Sequence, residues 1–328
     1  MKKVAVFGVG HLGKIHANCV KSACNAELVG IYDINVEHCR EVAAELGTKA
    51  YEDADELLEQ CEVADVVTAT TAHYEMAKRA MLKGKHVFIE KPVTALLRDA
   101  EELLDLQKKT GLQVQVGHVE RFNPAFVATK PYITNPMFIE SHRLALFNPR
   151  GNDVSVVLDL MIHDIDVILK IVDSEIRNIH ASGVAIVTDS FDIANVRIEF
   201  ENGCVANLTA SRISLKNMRK TRIFQPNAYI SVDFLEKKSD IIHIEDVGNE
   251  NSNPFAMILD LGEGKSKKQI IIKSPEIHQT NAIQTEIESF VSAIENGTIP
   301  EVTLYDGYNA LKTANLIIDK MNETIKLC

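Results

Sequence analysis

The hydrophobic pattern changes rhythm once along the chain. Up to about residue 120, short apolar runs at 4–7, 28–32, 64–67, 87–89 and 114–116 alternate with stretches rich in Ala, Glu, Lys and Leu, such as 36–46 and 74–83. Runs of three to five apolar residues suit strands buried on both faces, and strand–helix repetition at this spacing predicts βαβ units and a parallel sheet. After Pro124 the spacing predicts one strongly apolar helix over 155–172 and then a series of alternating strands. The segments 196–200 and 205–210 flank Asn202-Gly203, which predicts a hairpin closed by a type I′ turn. Further strands are predicted at 229–234, 241–244 and 269–272, with amphipathic helices at 280–295 and 305–322. The expected fold is α/β: a doubly wound parallel sheet over residues 1–122, then an α+β domain over 123–328 built on a mostly antiparallel sheet with helices on one face. Such a sheet leaves its other face to be covered, so a homo-oligomer, dimer or tetramer, is expected through that sheet.

Composition narrows the partners. A formal net charge of −11 argues against nucleic acid, because phosphate binding needs a basic footprint. An anionic substrate would need a local basic patch working against the overall field. The six cysteines (Cys19, Cys24, Cys39, Cys61, Cys204, Cys328) form no CxxC pair and no metal-type spacing, so small buried thiols in a reducing compartment are expected, and no metal. The opening MKKVAVFGVGHLGK has too short an apolar stretch for a signal peptide, and no run approaches ~18 consecutive apolar residues. A cytoplasmic protein without membrane contact is the expectation.

The first apolar run leads into Gly8-Val9-Gly10-His11-Leu12-Gly13. In a strand–turn–helix setting, Gly8 permits the tight turn, Gly10 lets a pyrophosphate approach the backbone, and Gly13 lets helix and strand pack closely. The helix N-terminus then offers unpaired N–H groups to the phosphates. Asp33 stands 20 residues after Gly13 at the end of the second run, where a carboxylate accepts from a ribose 2′-hydroxyl and repels a 2′-phosphate. Ile34 and Asn35 follow it rather than Arg, so NAD is expected over NADP.

The stretch KHVFIEKPV (85–93) ends an apolar run on Glu90-Lys91-Pro92. Ligands of doubly wound sheets lie beyond the carboxyl ends of the strands, which places the Lys91 ammonium near the expected nicotinamide. In the 155–172 helix, Asp159, His163, Asp166 and Lys170 recur at i, i+4, i+7 and i+11, one polar stripe on an otherwise apolar helix. Burying such a stripe without partners is costly, so the four either pair internally or face a wet cleft.

GVGHLGKIH (8–16), VVTATTAHYEMAKRAMLKGKHVFIEKPV (66–93) and the Asp159…His163 pair together resemble the Gfo/Idh/MocA oxidoreductases. That resemblance implies NAD(P)-dependent enzymes with a Rossmann domain and a mostly β substrate domain. It implies Lys91, Asp159 and His163 as the catalytic group. It also implies that His73 and Glu90 line the cofactor side, and that Pro92 shapes the preceding peptide. The expected cofactor set is Gly8, Gly10, His11, Leu12, Gly13, Asp33, Thr68, His73, Glu90 and Lys91. Two departures stand out: Thr68-Ala69 replaces the family's frequent Thr-Pro, and Val154-Ser155 and Met161 replace glycines around the Asp…His pair.

GHVERFNPA (117–125) with DLMIHDID (159–166) is similar to the nucleotide-sugar branch, which oxidises the 3-hydroxyl of UDP-N-acetylglucosamine-type sugars. The expected activity is hydride transfer from a sugar carbinol to NAD, with His163 as general acid/base, Asp159 orienting it and Lys91 holding the alcohol oxygen. Lys91 and His163 can exchange roles on sequence grounds. Cations for a diphosphate are available at Arg143, Arg150, Arg212, Lys216, Arg219, Lys220 and Arg222, and the expected substrate contacts are Arg121, Arg143 and Arg219. The rivals are another sugar or inositol dehydrogenase of the family and a catalytically silent NAD-binding regulator.

Overall fold

The computed structural model describes residues 1–148, 154–247, 257–263 and 265–325, so Arg150 and Cys328 lie outside the described residues. The chain divides into two compact units, Met1–Phe122 with Thr280–Thr313, and Asn123–Gln279 with Ala314–Cys328.

The first unit runs β1 (Lys2–Phe7), α1 (His11–Ser22), β2 (Ala26–Tyr32), α2 (Val36–Leu46), β3 (Ala50–Tyr51), α3 (Ala54–Gln60), β4 (Val63–Val66), α4 (Thr70–Leu82), β5 (His86–Glu90), α5 (Leu97–Thr110) and β6 (Val114–Gly117). Its six strands are parallel in the order β3-β2-β1-β4-β5-β6. Strand order therefore reverses between β1 and β4, the position at which doubly wound sheets bind their ligand. The apolar runs exist because β4, β6 and most of β5 are buried on both faces. Local chemistry sets the helix ends. Asn35 accepts the His38 N–H at the start of α2, and Gly47 ends it in the left-handed region at φ 61°.

The second unit contains α6 (Pro124–Thr129), β7 (Phe138–Leu144), a π-helical turn at Val157–Met161 running into α7 (Ile162–Ile171), then β8 (Ile176–Val184), β9 (Ile193–Phe200), β10 (Val205–Ser211), β11 (Met218–Gln225), β12 (Ala228–Asp233), β13 (Lys238–Asp246), β14 (Met257–Leu259) and β15 (Lys268–Lys273). These strands form one nine-stranded sheet in the order β14-β15-β13-β12-β11-β7-β10-β9-β8. Every neighbouring pair is antiparallel except β7 with β10. Strand β7 shows the two faces: Ile139, Ser141 and Arg143 are buried, while Phe138, Glu140, His142 and Leu144 stay partly exposed.

The 196–210 hairpin is present, but its turn differs from the type I′ expected. Gly203 N–H donates to the Phe200 carbonyl at 3.0 Å, and within the turn only Gly203 has a positive φ, 86°. Glu201 and Asn202 thus form a type I turn, and Gly203 supplies the left-handed bulge that restores the strand twist.

The structure also departs from a single division after residue 122. The chain returns to the first unit with α8 (Ala282–Asn296) and the opening of α9 (Leu304–Ile325). The apolar face of α8 explains this return. Ile287, Phe290 and Val291 join the core of Val4, Val6, Val20 and Phe88, with the Phe88 and Phe290 rings 6.1 Å apart. Each such side chain contributes about 1.5–3 kcal/mol of burial, more than the chain could recover by leaving this face wet.

Candidate active site

The glycine loop lies between β1 and α1, and each glycine has its own physical reason. Gly8 sits at φ 89°, and a Cβ there would come within 2.7 Å of Thr68 backbone. A Cβ on Gly13 would meet the Gly8 carbonyl at 1.9 Å, so close helix–strand packing demands glycine. Nothing within the protein lies within 4 Å of a Cβ built on Gly10. That open side is where a ligand's approach to the backbone needs glycine. Helix α1 starts at His11 with no side-chain cap, so its first N–H groups point unpaired toward the same space.

A cavity of about 1030 Å³ opens there, lined by Gly8, Gly10, His11, Leu12, Gly13, Asp33 and Thr68 among others. Asp33 accepts the Val9 N–H at 2.8 Å and the Asn35 N–H at 2.9 Å, so it fixes the glycine loop while presenting its carboxylate to the cavity. Glycines without room for Cβ, an uncapped helix start and a fixed carboxylate together fit a dinucleotide with an unphosphorylated ribose. Replacing Asp33 with Ser is expected to narrow the preference for NAD over NADP. Calorimetric titration of both cofactors reads this, and equal affinities in the unchanged protein would contradict the assignment.

Lys91 is partly exposed immediately beyond the end of β5, and the backbone on both sides of it is held. Glu90, buried, accepts the Lys91 N–H at 3.0 Å. Buried His73, on α4, has its ring nitrogens 2.9 Å from the Pro92 carbonyl oxygen and 3.0 Å from that of Thr68. Burial pushes the His73 pKa below its ordinary value, and the two carbonyls offset part of that push. His73 and Glu90 thus brace the Lys91 segment. The resemblance placed all three on the cofactor side, and here His73 and Glu90 hold the backbone at the strand end that carries Lys91.

Sequence reading missed two members of this cluster. His16, on α1, is fully buried, with Nδ1 3.0 Å from Asp65 and Nε2 3.1 Å from Glu90. Burial alone would lower the His16 pKa, but the charges of Asp65 and Glu90 raise it well above the ordinary value. Glu90, which burial would push up, is held below the usual carboxylate range by His16 and Lys91. Burial pushes Asp65 upward, and His16 offsets part of this. One signal was available in the sequence: a lone acid inside the otherwise apolar Val63–Val66 strand.

In the second unit, the expected stripe does not behave as one face. The π-helical turn carries Asp159, α7 carries His163, and both side chains are partly exposed between buried Val157, Met161 and Ile162. Asp166 is buried and Lys170 exposed. A π-turn widens the helix locally and breaks the simple 3.6-residue spacing. The strongest electrostatic feature here is one the periodicity passed over: Arg143 and Asp164 form a bidentate pair at 2.9 and 3.1 Å, both side chains nearly inaccessible. Arg143 is thus held against Asp164 in a buried position. Arg121 of the first unit is likewise buried, 3.7 Å from Asp306. Arg212 donates to the Val154 carbonyl and Arg222 lies 3.6 Å from Glu140. Arg219 is exposed on β11.

Residues 2–118 match the oxidoreductase family with an NAD-binding Rossmann fold, and residues 139–230 match the GFO/IDH/MocA C-terminal domain. The chain is similar to the UDP-N-acetylglucosamine 3-dehydrogenase of Acidithiobacillus ferrooxidans, with 36% identity over 293 residues that cover 89% of this chain and 88% of that one. A solved structure of that enzyme matches with a TM-score of 0.87 at 33% identity, over 97% of each chain. The myo-inositol 2-dehydrogenase of Thermotoga maritima is 25% identical over 328 residues, covering 94% of this chain and 93% of that one. With a matching nucleotide cradle, a matching C-terminal domain and a relative similar along nearly its whole length, this chain belongs to the Gfo/Idh/MocA family of NAD-binding oxidoreductases.

Proposed function

We propose that the protein oxidises the 3-hydroxyl of a UDP-N-acetylglucosamine-type sugar with NAD. The likeness to the Acidithiobacillus enzyme carries this reading, because it extends over 89% of the chain and so includes both units. Bound NAD supplies the hydride acceptor. Lys91 holds the alcohol oxygen, where an ammonium stabilises a developing alkoxide. His163 takes the proton, since an imidazole is the side chain best suited to accept and return one around neutrality. Asp159, one turn earlier, orients His163. Arg219, exposed on the strand with the densest run of cations, supports recognition of the diphosphate.

The reading includes a homo-oligomer through the nine-stranded sheet. Phe138, Phe224, Tyr229 and Ile242 are partly or fully exposed on it, and light scattering that found only single chains would remove this part. It also includes the cytoplasm: the five described cysteines are all free and four are buried, as suits a reducing compartment.

The test is a substrate panel of UDP-sugars, free sugars and inositols incubated with NAD. Reduced nicotinamide should accumulate with UDP-N-acetylglucosamine and far more slowly with free polyols. Efficient turnover of inositols with UDP-sugars ignored would replace the nucleotide-sugar reading with an inositol one.

A further inference from the structure

The first unit buries an imidazole between two carboxylates, one from the middle of a strand and one from the end of its neighbour. His16 on α1 is 0% exposed and Asp65 on β4 1%, in a unit whose buried strand positions are mostly apolar. Removing three ionisable groups from water costs several kcal/mol per ion, and apolar residues would fill the same space without that cost. The arrangement is also directional. Asp65 Oδ2 is hydrogen-bonded to His16 Nδ1 at 3.0 Å, His16 Nε2 lies in ion-pair range of Glu90 Oε1 at 3.1 Å, and Glu90 Oε2 accepts the Lys91 N–H at 3.0 Å. The backbone makes room for the Glu90 carboxylate: a Cβ on Gly117 of β6 would lie 2.6 Å from Glu90 Oε1.

We propose that His16 and Asp65 are positioning residues for Lys91, acting through Glu90. Asp65 keeps the imidazole charged, the imidazolium keeps the buried Glu90 carboxylate ionised and oriented, and Glu90 fixes the Lys91 peptide with its other oxygen. A raised His16 pKa and a lowered Glu90 pKa agree with this order, while burial pushes Asp65 upward and His16 offsets part of that push. The neighbours allow it. Around His16 are Cys19 on its own helix, held by the Asn281 side chain, and the Phe88 ring 5.7 Å away, while Lys91 and His73 act on Glu90 from the other side. This inference rests on the reading that Lys91 is catalytic.

The test compares Glu90→Gln, Asp65→Asn and Lys91→Ala with the unchanged protein for kcat, NAD affinity and melting temperature across pH. Glu90→Gln keeps shape and hydrogen-bonding capacity but removes the charge, and kcat should fall about tenfold or more with NAD affinity within twofold. Asp65→Asn strips His16 of its counter-charge, so the imidazolium loses its proton as pH rises. Its kcat relative to the unchanged protein should then fall progressively with rising pH, a pH trend that a merely structural role does not produce. If Asp65→Asn does not fold, the isosteric Glu90→Gln decides. Either folded variant keeping kcat within twofold at every pH, or losing NAD affinity in step with kcat, overturns the proposal. Lys91→Ala separates the two levels. Its inactivity alongside unimpaired Glu90→Gln and Asp65→Asn sinks only the positioning role, whereas an active Lys91→Ala sinks the catalytic reading beneath it.

Discussion

Lys91→Ala is expected to lower turnover of the true substrate by about a hundredfold or more, and His163→Asn by a similar factor, with folding and NAD affinity little changed. The scale is that of losing an acid/base group or an oxyanion-stabilising charge. Lys91 is partly exposed, so truncating it leaves no cavity, and the peptide around it is held by Glu90 and His73 whether or not the ammonium is present. His163→Asn keeps a polar side chain in a partly exposed position, so the fold loses little. Steady-state kinetics with calorimetry of NAD binding separates the effects. Near-normal kcat in either variant would remove that residue from the catalytic group.

Arg143→Ala is expected to cost the second unit about 3–5 kcal/mol, because it strands Asp164 as an uncompensated charge in a buried place. The side chains of Arg143 and Asp164 are only 3% and 4% exposed, so solvent screening does little to soften the loss. Replacing both together, as Arg143→Met with Asp164→Leu, should recover most of it, since apolar residues fill such sites at no desolvation cost. Urea denaturation measures both variants. The opposite pattern, unchanged stability with a raised KM for the UDP-sugar, would return Arg143 to the substrate.

What the sequence made legible follows from what physical chemistry makes periodic. Strands buried on both faces, such as Val63–Val66 and His86–Glu90, write themselves as apolar runs, and the glycine loop requires glycine at fixed spacings whatever surrounds it. Strands β7 and β11 were obscured because their inward positions include Ser141, Arg143 and Thr221, so alternation inverts or vanishes. Helix α8 was legible as a helix but not as part of the first unit, because an apolar face does not name the surface it will cover. The π-helical turn left no mark in a pattern read at 3.6 residues per turn. Charge is legible only by residue type. Arg121 and Arg143 read as available cations, since a sequence shows that an Arg is present but not the Asp306 or Asp164 that the fold sets against it. His16 and Asp65 lie 49 positions apart, and only the sheet brings them together.

The most direct measurement uses UDP-N-acetylglucosamine carrying deuterium at carbon 3 of the sugar, incubated with the protein and NAD, followed by mass analysis of the reduced cofactor. The account predicts that the deuterium appears in the reduced nicotinamide, that the sugar product is a 3-ketone, and that Lys91→Ala suppresses both. Reduced nicotinamide that forms without the label, while the deuterium stays on the sugar, would contradict oxidation at that carbon.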